Sequence, residues 1–195
     1  IRQYQEVAQG LAHESVKDSI NLESLVEFML EKNSFLIFCL QRDLAVQTEP
    51  FFLQFKSVDW NSFQVVGDCL PCVLEICRIL EASLQEYSDS LNEKCNFNIL
   101  IDKISELIAL KMNSTLFSCK MYAPLAVEVF LMNFQVITAI LSRFTGQLVP
   151  NLMRIEGICK CLLASNLELA NETFNLLFPS ESSDFFHQIM TIKQS

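Results

Sequence analysis

Glycine is nearly absent. Four residues, Gly10, Gly67, Gly146 and Gly157, stand far apart in 195. A phosphate-cradling loop or a dinucleotide fingerprint needs several close together, so both are excluded. Basic charge is sparse as well: 14 Lys and Arg against 23 Asp and Glu give a net charge of −9, with no run of three basic residues. Phosphate backbones repel such a chain, and direct nucleic-acid binding is not expected. Histidine is limited to His13 and His187. Neither stands beside a nucleophile motif or a second metal-spaced His, and each reads as a surface or flank residue. A basic, apolar, small-residue leader is also missing.

Cysteine and apolar residues are plentiful. The hydrophobic share is 51% and the mean hydropathy is +0.29. Large apolar areas must therefore be covered by a sizeable core, a partner or flanking sequence. Ile1 in first position suggests a fragment of a longer protein. The eight cysteines do not describe a disulfide scaffold. Cys39, Cys77 and Cys159 sit within apolar helical patterns, as small buried hydrophobes do, which points to a reducing compartment, cytoplasmic or nuclear. The sequons at Asn113 and Asn171 are of the number expected by chance.

Helical periodicity runs through the whole chain, and strand signals are almost lacking. Tyr4, Val7, Ala8 and Leu11 mark a short first helix. Asn21 caps a second, carrying Leu22, Leu25, Val26, Met29 and Leu30, which Asn33 and Ser34 break before Phe35–Ala45 resumes. Thr48-Glu49-Pro50 reads as a stop and restart. Asp68 caps a helix with Pro71 in its first turn and a stripe of Leu70, Val73, Leu74, Cys77, Leu80, Leu84 and Tyr87. A polar linker at 88–98 offers a point of subdivision in an otherwise single domain over 1–195. Leu100 to Met112 forms the next helix. Pro124 opens a long one that Gly146 terminates, and Pro150, Asn166 and Ser183 open three more. The helix after Pro124 is apolar almost all round, as a central helix would be. Glu128, Asn133 and Gln135 argue against its crossing a membrane.

The fold class is all-α: eight to ten helices on short turns, hence an irregular array of antiparallel hairpins. The array resembles a degenerate armadillo or HEAT-type α-solenoid at the level of architecture. No diagnostic motif or fixed period carries the resemblance, and a compact helical bundle is the rival arrangement.

Cys69-Leu70-Pro71-Cys72 is the sharpest local feature. It resembles the thioredoxin active site, in which a helix N-terminus stabilises a thiolate, but no alternating strands follow it. The plain alternative is two partly buried thiols in a first helical turn. Cys69 and Cys72 with Cys159 and Cys161 could form a zinc site, yet Cys159 and Cys161 lie two apart in a helical pattern and face away from one another. No metal or cofactor is expected. Glu128 in the apolar helix either lines a polar strip or is buried and strongly perturbed. Glu23, Glu27 and Glu31 form an acidic stripe suited to a basic partner. Phe51, Phe52, Phe55 and Trp60, with Phe63, form an aromatic cluster that is either a partner anchor or a core plug. The expected function is non-enzymatic, a protein–protein interaction module binding a peptide or helix of a partner, with basic character favoured by the acidic balance. The alternatives are a segment of a larger helical scaffold packed on its own flanking repeats and, more remotely, a thiol redox protein using Cys69 and Cys72.

Overall fold

The computed structural model describes residues 22–91, 94–121, 123–146 and 150–194. Among them run seven α-helices and no strand: α1 (Leu22–Lys56), a 3-10 turn (Trp60–Ser62), α2 (Pro71–Ser90), α3 (Lys94–Ser118), α4 (Pro124–Thr145), α5 (Pro150–Leu163), α6 (Leu167–Leu177) and α7 (Ser183–Gln194). The protein is all-α. The first-helix residues Tyr4 to Leu11, the Asn21 cap and His13 lie outside the described residues.

Two units are distinguished, residues 1–40 and 41–195. The first is represented among the described residues by the N-terminal half of α1. There Leu25, Phe28, Phe35 and Phe38 are exposed and Ile37 is buried. The second unit runs without interruption through the expected linker at 88–98. That linker shrinks to a few residues, because α2 extends to Ser90 and α3 begins at Lys94.

α1 corrects the sequence in two places. Neither Asn33–Ser34 nor Pro50 ends it. Asn and Ser each cost only a few tenths of a kcal/mol in a helix interior, which is too little to break one. Pro50 costs more, because residue 50 has no N–H for the carbonyl of Val46. Val46 is exposed, so that carbonyl belongs to a residue open to water. The Thr48 hydroxyl donates to the carbonyl of Leu44 at 2.8 Å within the same turn. The following turn seats Phe52 and Phe55 in the core, and their burial offsets the proline.

Caps elsewhere follow the sequence closely. Gly146 ends α4 at φ 70°, the left-handed conformation in which a side chain is strained. Asn166 accepts from the Leu169 N–H at 2.8 Å to start α6. α2 differs: Leu70 takes the cap position with no side-chain cap bond, and Asp68 is exposed outside it.

Within the second unit, helices two apart in sequence lie side by side and run the same way. Gln41 donates to the carbonyl of Lys103 on α3, and Glu49 pairs with Lys111. Both contacts span 62 residues, so α1 and α3 advance together. The same offset recurs one layer over, where Glu81 of α2 pairs with Arg143 of α4. The Leu70 N–H is bonded to Asn133, 63 residues on. α4 packs on α2, α3, α5 and the 3-10 turn. It is the one helix among the described residues long and apolar enough to cross a membrane. Its Val127, Phe130, Phe134, Ile137 and Leu141 are buried inside the unit.

Candidate functional site

The aromatic cluster is a core plug. Phe52, Phe55 and Trp60 are buried and Phe51 is half-buried. Trp60 meets Phe55 edge-on at 4.9 Å and Phe130 at 5.5 Å. Burial of Phe52, Phe55 and Trp60 favours the core reading of the cluster over the partner anchor. The cause is position. α1 ends at Lys56, and the turn that follows folds Trp60 back against α4.

The acidic stripe belongs to α1 in the first unit. Glu27 and Glu31 are exposed, and Glu23 lies on the helix with its side chain outside the described residues. Glu128 is exposed on α4 with Gln135, as a polar strip requires. His187 is exposed on α7, its ring 6.2 Å from that of Phe186.

Burial raises both thiols of the Cys69-Leu70-Pro71-Cys72 segment. The Cys69 thiol is pushed up by burial and by the neighbouring Cys72. Cys72 is pushed up by burial, which outweighs the backbone hydrogen bonds at the helix start. A redox thiol needs the opposite shift. The Cys69 thiol instead donates to Asn133 Oδ1 at 3.3 Å. Cys159 and Cys161, the other half of the candidate zinc set, are fully buried. Burial raises them to about 12 and about 11. No group of three or more potential ligands is assembled among the described residues.

The raised thiols set an alkaline limit on stability. Cys159 moves from an ordinary 9.0 to about 12 in the fold. Above pH 9 the unfolded chain therefore releases a proton that the native chain keeps, and stability falls as pH rises. By pH 10.5 this one thiol should cost about 2 kcal/mol. Denaturant melts of the wild-type chain and of Cys159→Ala from pH 8 to 10.5 should converge by that amount. Parallel pH profiles would refute the assignment.

A concave feature of the second unit, among the described residues, lies elsewhere. A groove of about 620 Å³ is lined by α3, α5 and the Leu177–Phe178 segment. Ala109, Leu110 and Asn113 of α3 line one wall, and Met153 and Gly157 of α5 the other. Gly157 has a steric role here, since a Cβ on it would stand 2.7 Å from the Phe178 ring. Arg154 fixes the segment that carries this ring. Its guanidinium lies 4.4 Å over Phe185 and pairs with Glu181. Leu110 (67% exposed), Met153 and Leu177 stand open along the groove. Asn113 Oδ1 is enclosed without a hydrogen-bond partner. Two signals could have revealed this site: a glycine inside an apolar helical pattern marks a close approach, and Leu110 falls off the buried face of α3.

No model of a known protein family, no curated protein and no solved structure matches the chain.

Proposed function

We propose that this chain is a non-enzymatic protein-interaction module whose stacked helical hairpins hold a helix or extended peptide of a partner in the groove between α3 and α5. The groove itself carries the reading. It is an open groove in which Leu110, Met153 and Leu177 stand exposed to water among the charged Glu106, Arg154, Glu156 and Lys160. Apolar side chains of a partner would cover the three residues. The shared offset of 62 residues between α1 and α3 and between α2 and α4 supports hairpins stacked in the manner of an α-solenoid. Such arrays present grooves of this kind. A partner of basic character suits the net charge of −9.

The test is photo-crosslinking in cells from the full chain, with a benzophenone side chain at position 110 or, as a control, at exposed Glu86. Discrete partners should be trapped from position 110 only. Their yield should fall about tenfold when Met153 is changed to Glu, a loss of roughly 1.4 kcal/mol. Identical products from both positions would reject the groove as the binding face.

One observation favours the scaffold alternative, in which the chain packs on further helices of its own protein. Leu176 of α6 is 81% exposed, and Leu167 and Leu169 are exposed on the same short helix. Crosslinks from position 176 confined to the parent polypeptide would support that version.

A further inference from the structure

Sulfur is unevenly exposed in this chain. Of its six methionines, Met112, Met121 and Met190 are buried, and Met29 and Met132 are half-buried. Met153 stands apart, 53% exposed on the groove. Cys72, Cys77, Cys159 and Cys161 are buried, and burial raises each of their thiols. Oxidation of a cysteine starts from its thiolate, so these four are slow to react. A thioether has no proton to lose and needs only access. The access has a structural cause. One helical turn on from Met153, at i+4, stands Gly157, where a Cβ would meet the Phe178 ring at 2.7 Å. No side chain at 157 can cover the thioether, which is left open along the same groove as Leu110 and Leu177.

We infer, on the premise that the groove is the binding face, that Met153 is an oxidation site and that its conversion to the sulfoxide by hydrogen peroxide expels the partner. The thioether sulfur attacks one oxygen of the peroxide. The S–O bond forms as the O–O bond breaks, and the sulfur is oxidised by two electrons. The second oxygen departs as water, taking the proton of the transferred one. Methionine offers a flexible, polarisable apolar surface that apolar side chains of a partner can cover. The sulfoxide oxygen is a strong acceptor, and covering it strips its water without a replacement donor. The nearest cations of the groove are already engaged: Arg154 with Glu181 and Phe185, and Lys160 with Glu156. In the empty groove the same oxygen stays in water, so oxidation should weaken binding and leave the stability of the chain unchanged. Capture of the partner should fall about tenfold.

Peptide mass spectrometry of the full chain under graded hydrogen peroxide gives the first readout. One oxygen atom should appear on Met153 about tenfold or more faster than on Met112, Met121 or Met190. The rate should not change between mildly acidic and mildly alkaline buffer, as a thiol's would. Comparable rates at the four methionines overturn the inference. The second readout is capture by the full chain carrying benzophenone at position 110. The chain is oxidised, treated with dithiothreitol to reverse disulfides and sulfenic acids but not the sulfoxide, and irradiated in a desalted lysate. The yield should drop about tenfold, and treatment of the oxidised chain with methionine sulfoxide reductases should restore it. In Met153→Leu, whatever its own yield, the ratio of treated to untreated capture should stay near one. Capture that survives full oxidation of Met153 overturns the inference and leaves the groove standing. A chain that traps nothing from position 110 before any oxidation rejects the groove, and the inference with it.

Discussion

Phe130→Ala should lower the unfolding free energy by about 3–5 kcal/mol, a large part of what a domain of this size possesses. Phe130 is fully buried in the middle of α4. Its ring lies 5.6 Å from Phe55 and 5.5 Å from Trp60. It therefore joins the end of α1, the 3-10 turn and α4 in one cluster. Truncation to Ala removes the transfer energy of the ring, leaves a cavity, and deletes two aromatic contacts worth about 0.5–1.5 kcal/mol each beyond their area. A Leu at the same position refills most of the volume and should cost markedly less. Denaturant titration gives the size, with an unchanged slope required if the native state stays compact. The chain supplies a local probe of its own: Trp60 is its single tryptophan, 2% exposed, with an indole N–H that has no acceptor. Its emission should be blue-shifted in the wild type and move to the red in Phe130→Ala before global unfolding. A loss below about 1 kcal/mol, or an unmoved emission maximum, would show that the cluster does not join these elements.

Much of the helical content was legible because local signals and packing agree. Pro124, Pro150 and Asn166 open their helices, and Gly146 ends α4 in the conformation that only glycine adopts without strain. Sequence reading failed where a local breaker competed with burial. Asn33 and Ser34 cost too little to stop α1, and it continues through Pro50 because Phe52 and Phe55 beyond it gain more from the core than the proline costs. On α2 the predicted stripe is buried at Val73, Cys77, Leu80, Leu84 and Tyr87, and the buried face is wider than predicted on one side and narrower on the other. Leu74 is exposed, while Ile76 and Ile79 are buried. Apolar residues on two adjoining faces satisfy one periodicity equally well, and only the neighbours decide which face turns inward.

The candidate site was less legible, for a related reason. The sequence nominated residues by type, and aromatics and thiols are the types that cores also use. Phe52, Phe55 and Trp60 went to the core, as did Cys72, Cys159 and Cys161. The groove depends on contacts that spacing along one helix does not encode: Phe178 must reach back across α5 onto Gly157, and Leu110 must fall where α5 fails to cover α3.

Asn133→Asp should lower the unfolding free energy at neutral pH by about 3 kcal/mol or more. Asn133 is fully buried within the apolar α4. Its Oδ1 accepts from the Leu70 N–H at 2.8 Å and from the Cys69 thiol, and its Nδ2 donates to the Val129 carbonyl at 2.8 Å. The side chain thus supplies the bond that the start of α2 lacks from any cap of its own. Aspartate keeps the two acceptor contacts and places an oxygen where Nδ2 was, facing the Val129 carbonyl. Ionised, it is a buried charge beside a carbonyl oxygen; protonated, it donates to that carbonyl and restores the pattern. Its pKa in the fold must therefore stand above the ordinary ~3.9. The sign follows: damage relative to wild type is least below pH 4 and grows by up to about 1.4 kcal/mol per pH unit until the folded carboxyl ionises. Asn133→Leu separates hydrogen bonding from charge. It loses the Leu70 and Cys69 contacts at about 1–3 kcal/mol and shows no such pH dependence. Urea melts of the three chains from pH 4 to 7.5 carry the test. A pH-independent penalty for Asn133→Asp equal to that of Asn133→Leu would mean that water reaches residue 133, and that α2 is not held on α4 through this side chain.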